Sequence, residues 1–357
     1  MMNLKPFAFI LLSIFIHSCG NDKNIEKNLF SIDTSSLKQV YQLDEQVDLI
    51  IKNEKNETID SVIYTINGAK IGSTKNNNTL KFELANQKLG YQSIKAMVYA
   101  NGNSHEVDAN FMVASNIDPK PLKYKIVNTY PHDSKAYTQG FEFYRDTLFE
   151  GTGNGEGKGT GTRGISSLRK TNYKTGEVYK IVPLAQEYFG EGITILNNKV
   201  YQLTWLNNEG YVYNADNLEK IKTFKYFKQM QGWGLTNDGT KLYMSEGSEK
   251  IYVLDPETLQ EVDYINVYTK KAKIESLNEL EWIEGKIWAN VYGRDAIAVI
   301  NPKNGAVEGI LDLSNLKTKV TQHPDIDVLN GIAYNPKTKT VFLTGKNWDK
   351  TFEIVLE

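Results

Sequence analysis

Glu191 carries the clearest chemical promise in this sequence. It lies between two glycines in FGEGITILNNKVYQLTW, residues 189–205, at the head of an apolar run that closes on Trp205. Aromatic walls desolvate a carboxyl group and raise its pKa toward the range in which it passes a proton near neutral pH. Other chemistries are poorly supplied. The four histidines, His17, His105, His132 and His323, are scattered, so a histidine-ligated zinc is not expected. Cys19 is the only cysteine, and no serine stands in a nucleophile-elbow context. The glycine-rich TGNGEGKGTGTRG, residues 152–164, fails as a phosphate loop, because Gly159 follows Lys158 where Ser or Thr is required and no helix is opened. A lid or rim loop is expected there instead.

The elements that must position Glu191 are written five times. QGFEFYRDTLFEGTG from Gln139, EGITILNNKVYQLTW from Glu191, WGLTNDGTKLYMSEG from Trp233, NELEWIEGKIWANVY from Asn278 and NGIAYNPKTKTVFLTGK from Asn330 share one plan. Each has a polar or aromatic opener, then usually glycine, an apolar strand, a turn, and a second strand. Later parts of the repeats also match, as in KIYVLDPETLQEVDYINV and AIAVINPKNGAVEGILDL. Four strands in a repeat of roughly 45 residues predict an all-β fold with a five-bladed β-propeller over residues 124–357.

A hairpin brings its two ends together, so openers and closers should crowd one mouth of the central channel. The openers are Gln139, Glu191, Trp233, Asn278 and Asn330; the closers are Gly153, Trp205, Gly247, Tyr292 and Lys346. Repeats that served structure alone would hold similar residues at these positions. Here they hold an acid, side-chain amides, aromatics and a lysine, which is the composition of a site.

YTQGFEF, GEGITIL with VYQLTW, GWGLTNDGTKLYMSEGS, LNELEWIEGKIWANVY, and VLNGIAY with FLTGKNW resemble, in order, the motifs of the plant-type and bacterial glutaminyl-peptide cyclotransferases. The resemblance runs from Tyr130 to the C-terminus and leaves the N-terminal part uncovered. It implies a five-bladed propeller enzyme that converts N-terminal glutamine of peptides to pyroglutamate with release of ammonia, as an aminoacyltransferase needing no cofactor. It implies Glu191 as the essential acid, Trp205 and Trp233 as pocket walls, and Gln139, Asn278 and Lys346 as polar contacts. Tyr292 stands where the family carries tryptophan after the WAN motif, and Asn330 completes the expected substrate-binding set. No metal is expected among these residues, although a channel leaves room for a structural ion. The rival readings are a non-catalytic surface propeller that binds a peptide or glycan, and a metal-dependent lactonase. One carboxylate among ten ring positions is too few for the latter.

The rest of the chain suggests delivery to a membrane. Lys5 precedes FAFILLSIFI, which has the length of a secretory apolar region, and the run ends at IHSCG. Cys19 there resembles a lipobox cysteine, so residues 1–18 read as a lipoprotein signal peptide and 19–28 as a tether. The expected location is the cell envelope, on the periplasmic or surface side of a bacterial membrane. Short alternating strands over 29–115 suggest a small immunoglobulin-like β-sandwich, and 116–123, with two prolines, a linker. A net charge of −2 with 24% charged residues, well mixed, gives no nucleic-acid surface. The 21 tyrosines, 14 phenylalanines and only 9 prolines suit strands.

Overall fold

The computed structural model of the protein describes residues 29–157 and 164–357. The expected signal peptide, the lipidated Cys19 and the tether lie outside the described residues, as does the middle of the glycine-rich segment. Among the described residues the fold is all-β, with one short 3-10 turn at Lys317–Lys319 and no α-helix.

Five sheets follow one another, each built on an antiparallel run of four strands, with inner strands Tyr137–Tyr144, Gly190–Leu196, Leu235–Asn237, Leu277–Ile283 and Leu329–Asn335. The fifth sheet takes its outer strand, Tyr124–Pro131, from the start of the region and pairs it with the C-terminal strand Lys350–Leu356. That pairing ties the two ends of the region together. Three inner hairpins turn through residue pairs with left-handed backbone: Arg145–Asp146 (φ 47° and 65°), Asn197–Asn198 (51° and 61°) and Glu284–Gly285 (47° and 80°). Two such residues give a turn whose twist matches that of the flanking strands.

Each gap between sheets has its own apolar filling. Phe149 and Leu168 meet Ile193 between the first and second sheets. Leu203 meets Leu235 and Met244 between the second and third. Ile251 meets Ile287 and Ile300 between the third and fourth, and Trp288 meets Leu343 and Trp348 between the fourth and fifth. Phe141 and Leu148 meet Phe342 between the first and fifth. Each buried side chain of this size stabilises the fold by about 1.5–3 kcal/mol.

Residues 31–114 form a five-stranded sheet and two two-stranded ones around a separate core that includes Val47, Tyr64, Ile94 and Phe111. Burial alternates strictly along Gly90–Ala100, as expected for a sheet with one covered face. Tyr268, at the exit of the third sheet, enters this core, and Asn266 Nδ2 donates to the Leu89 carbonyl at 2.5 Å. The segment expected as a linker is partly a strand. Lys120–Leu122 pairs in parallel with Val307–Asp312 of the fourth sheet. Gly309 makes this fit, since a Cβ there would lie 2.8 Å from the Leu122 side chain.

Candidate active site

Four of the openers owe their placement to broken register. Pairing slips between Thr138 and Gly140, between Gly190 and Ile193, between Leu277 and Leu280, and between Leu329 and Ile332. Gln139, Glu191, Asn278 and Asn330 fall inside these bulges, the device that re-aims a side chain at a strand's start. Trp233 instead precedes its strand, fixed by its N–H donating to Ser245 O at 3.1 Å.

The glycines beside Glu191 serve packing of the main chain. Gly192 N donates to the Trp233 carbonyl at 2.7 Å, and a Cβ on Gly192 would lie 2.6 Å from that oxygen. A Cβ on Gly190 would lie 2.6 Å from Thr152 O. The main chains of the neighbouring sheets approach too closely at these points for any side chain. The two glycine closers make room for rings: a Cβ on Gly153 would strike Phe189 at 2.3 Å, and one on Gly247 would strike Trp233 at 2.7 Å.

Glu191 is 5% exposed. Its Oε1 accepts one long hydrogen bond, from Gln139 Nε2 at 3.4 Å. Burial drives its pKa well above the usual carboxylate range, and the charge of Lys346 pulls back less. Lys346 is 3% exposed, and burial lowers its pKa against the opposing charges of Glu191 and Asp327. Both groups are therefore pushed toward their neutral forms. Lys346 Nζ lies over two rings, 4.9 Å from the centroid of Tyr137 and 5.0 Å from that of Tyr292, where ring quadrupoles attract an ammonium.

The aromatic wall comes in two groups of packed rings. Tyr137 packs edge-on against Phe189 at 6.0 Å, Phe189 against Trp205 at 5.6 Å, and Trp233 against Tyr292 at 5.8 Å. Trp205 and Tyr292 are 37% and 42% exposed, so the wall opens to solvent. Gln231 Oε1 accepts both indole N–H groups, from Trp205 at 2.8 Å and Trp233 at 2.9 Å. Asn330 is committed to the first sheet: its Nδ2 donates to Thr138 O at 3.0 Å and Gln139 Oε1 at 3.1 Å. Asn278 and Asn330 are both buried with their Oδ1 atoms unpartnered, acceptors whose hydrogen-bonding capacity is unfilled.

Four contributors escaped the repeat reading: Tyr137, Phe189, Gln231 and Asp327. Tyr137 donates to Asp327 Oδ2 at 2.5 Å, which places a carboxylate behind the ring that Lys346 covers. Tyr137, Phe189 and Gln231 each stand two residues before an opener, so a third ring of repeat positions would have found them. Among the described residues no group of three or more His, Cys, Asp or Glu is placed to hold a metal. The site can desolvate a small aliphatic substrate, grip it with amides, and offer one carboxyl with raised proton affinity.

A family model for glutamine cyclotransferase matches residues 95–356. The glutaminyl-peptide cyclotransferase of Arabidopsis thaliana is 40% identical over 236 residues, covering 65% of this chain and 71% of that protein. The crystal structure of Myxococcus xanthus glutaminyl cyclase superimposes with a TM-score of 0.61 at 30% identity, covering 67% of this chain and 99% of the other. With the matching model spanning most of its length, this chain belongs to the glutamine cyclotransferase family.

Proposed function

We propose that this protein is a glutaminyl-peptide cyclotransferase, closing the N-terminal glutamine of peptides to pyroglutamate with release of ammonia. Family membership supports the reading, and one observation carries it: a buried carboxyl, Glu191, at a mouth walled by Trp205, Trp233 and Tyr292. The five sheets are read as the blades of a five-bladed propeller, with inner strands around the channel.

In the reaction the α-amino nitrogen attacks the side-chain carbonyl carbon of its own residue. A C–N bond forms, the carboxamide C–N bond breaks, and ammonia leaves. Ring closure is intramolecular, so the enzyme's first task is to select the folded rotamer. Free α-amines have a pKa of about 8, and a carboxyl group raised by burial is matched to exchange protons with one. Glu191 takes the proton released on attack and returns it to the departing nitrogen. The unpartnered Oδ1 of Asn278 is an acceptor, suited in chemistry to the substrate carboxamide N–H. Lys346 Nζ is assigned to the developing oxyanion, a contact worth on the order of 3 kcal/mol. The aromatic wall excludes water, which would otherwise hydrolyse the amide to glutamate.

Residues 29–115 are assigned to an immunoglobulin-like module and Cys19 to a lipid anchor holding the enzyme at the cell envelope. The chemistry as written requires no cofactor. The test is ammonia release from peptides beginning with glutamine, run with and without a chelator and with Glu191→Gln as the control. Absence of release across several such peptides would sink the proposal.

A further inference from the structure

Gln231 belongs to no ring of openers or closers, yet both indoles of the site depend on it. Its carbonyl oxygen has two lone pairs, and both are occupied, by Trp205 Nε1 at 2.8 Å and Trp233 Nε1 at 2.9 Å. The two tryptophans come from different sheets. Trp205 closes the inner hairpin of the second, and Trp233 opens the third. Without a link they would move independently.

The backbone around Gln231 is anchored on the second sheet. Met230 N donates to Asn208 Oδ1 at 3.1 Å, and Gly232 N donates to the Trp205 carbonyl at 3.2 Å. Residue 232 must be glycine for this, since a Cβ would meet the Tyr226 hydroxyl at 2.3 Å. Gln231 itself is exposed, and its Nε2 makes no hydrogen bond among the described residues.

We propose that Gln231 is a substrate-positioning residue. Its oxygen clamps Trp205 and Trp233 at a fixed gap for the aliphatic part of the N-terminal glutamine, and its Nε2 donates to the peptide carbonyl that follows. The proposal rests on the cyclotransferase reading for its substrate. Loose surface rings must be frozen on binding, which costs about two- to tenfold in affinity per ring. A clamp removes that cost before the substrate arrives.

Two variants separate the parts. Gln231→Met keeps the bulk and loses the acceptor, whereas Gln231→Glu keeps the acceptor and loses the donor. Gln231→Met is expected to raise KM for a glutamine-initiated peptide about tenfold, with kcat within about twofold and thermal stability unchanged. Gln231→Glu should restore most of the loss, and the indole N–H Raman band should report broken hydrogen bonds in the Met variant alone. Wild-type KM in Gln231→Met, with the band shifted, would overturn the clamp. So would an unshifted band, or a fall in kcat without a rise in KM. A wild type that releases no ammonia would sink the functional reading, while the Raman band and peptide binding by tryptophan fluorescence would still test the clamp.

Discussion

Replacing Glu191 with glutamine should make the protein both inactive and more stable at alkaline pH. The substitution keeps the shape and removes the exchangeable proton. Loss of a positioned acid–base group costs about 10²–10⁴ in rate, or roughly 3–5 kcal/mol of barrier. Stability moves the other way, because burial lifts the folded-state pKa of Glu191 well above the ordinary carboxyl value of 4.5. Between those two values the folded state holds a proton that the unfolded state has lost. The stabilisation linked to this group is complete below a pH of about 4.5 and is lost as pH rises through the folded pKa. Glutamine cannot ionise, so the variant escapes that loss. No ion pair joins Glu191 to Lys346 among the described residues, so none is broken. Melting temperatures of wild type and variant should coincide near pH 4.5. Near pH 8.5 the variant should be higher by about 2–4 °C for each kcal/mol recovered. Ammonia release gives the rate and calorimetry the stability. Activity above a tenth of wild type, or a variant that melts below wild type at the higher pH, would refute the assignment of a proton-passing carboxyl whose proton affinity is raised by burial.

Gly247→Ala should tilt the Trp233 indole, because residue 247 has φ of +90° and its Cβ would lie 2.7 Å from the ring. We expect KM to rise more than about tenfold and stability to fall by about 1–3 kcal/mol; a wild-type KM would show that the ring's position is not critical. Lys346→Met should lower kcat by about 10²–10³. It should also move the acid limb of the pH–rate profile upward, since the lysine charge opposes the rise in Glu191 pKa; an unmoved limb would uncouple the two. Burial pushes Glu142 up to about 8, so it favours the fold at acid pH and that contribution is lost as pH climbs from its unfolded value through about 8. Glu142→Gln should flatten the decline in calorimetry over this window, and a slope equal to wild type would reject the linkage.

Sequence made the site legible where the chain repeats and hid it where the repeats interact. The fivefold spacing located Glu191, Trp205, Trp233, Tyr292 and Lys346, because hairpin ends converge whatever the details of packing. It did not locate Gln231 or Asp327, whose roles depend on hydrogen bonds to other repeats. The glycines around Glu191 were visible as letters, but their cause, the Trp233 and Thr152 carbonyls of the neighbouring sheets, exists only after the sheets assemble. The strand Lys120–Leu122 was masked by Pro121 within it and Pro119 just before it. It pairs with the outer strand of the fourth sheet, where a proline that lacks an N–H is tolerated.

Four buried acids of this region have raised pKa values: Glu142, Glu191, Glu279 and Glu281. Raised proton affinity alone therefore does not select the reacting group; hydrogen bonding does. Glu279 accepts from Phe141 N at 3.2 Å and Ile332 N at 2.9 Å, Glu281 from Tyr334 N at 2.7 Å, and Glu142 from Ile195 N at 3.1 Å. Inner strands of different sheets share no ladder, so their N–H groups need partners, and these three carboxylates lace them together across sheets. Each is fixed by backbone and cannot swing or exchange partners without exposing a buried donor. Glu191 accepts only the long bond from the Gln139 amide and faces the aromatic mouth. It is the acid whose proton can move without unlacing the fold.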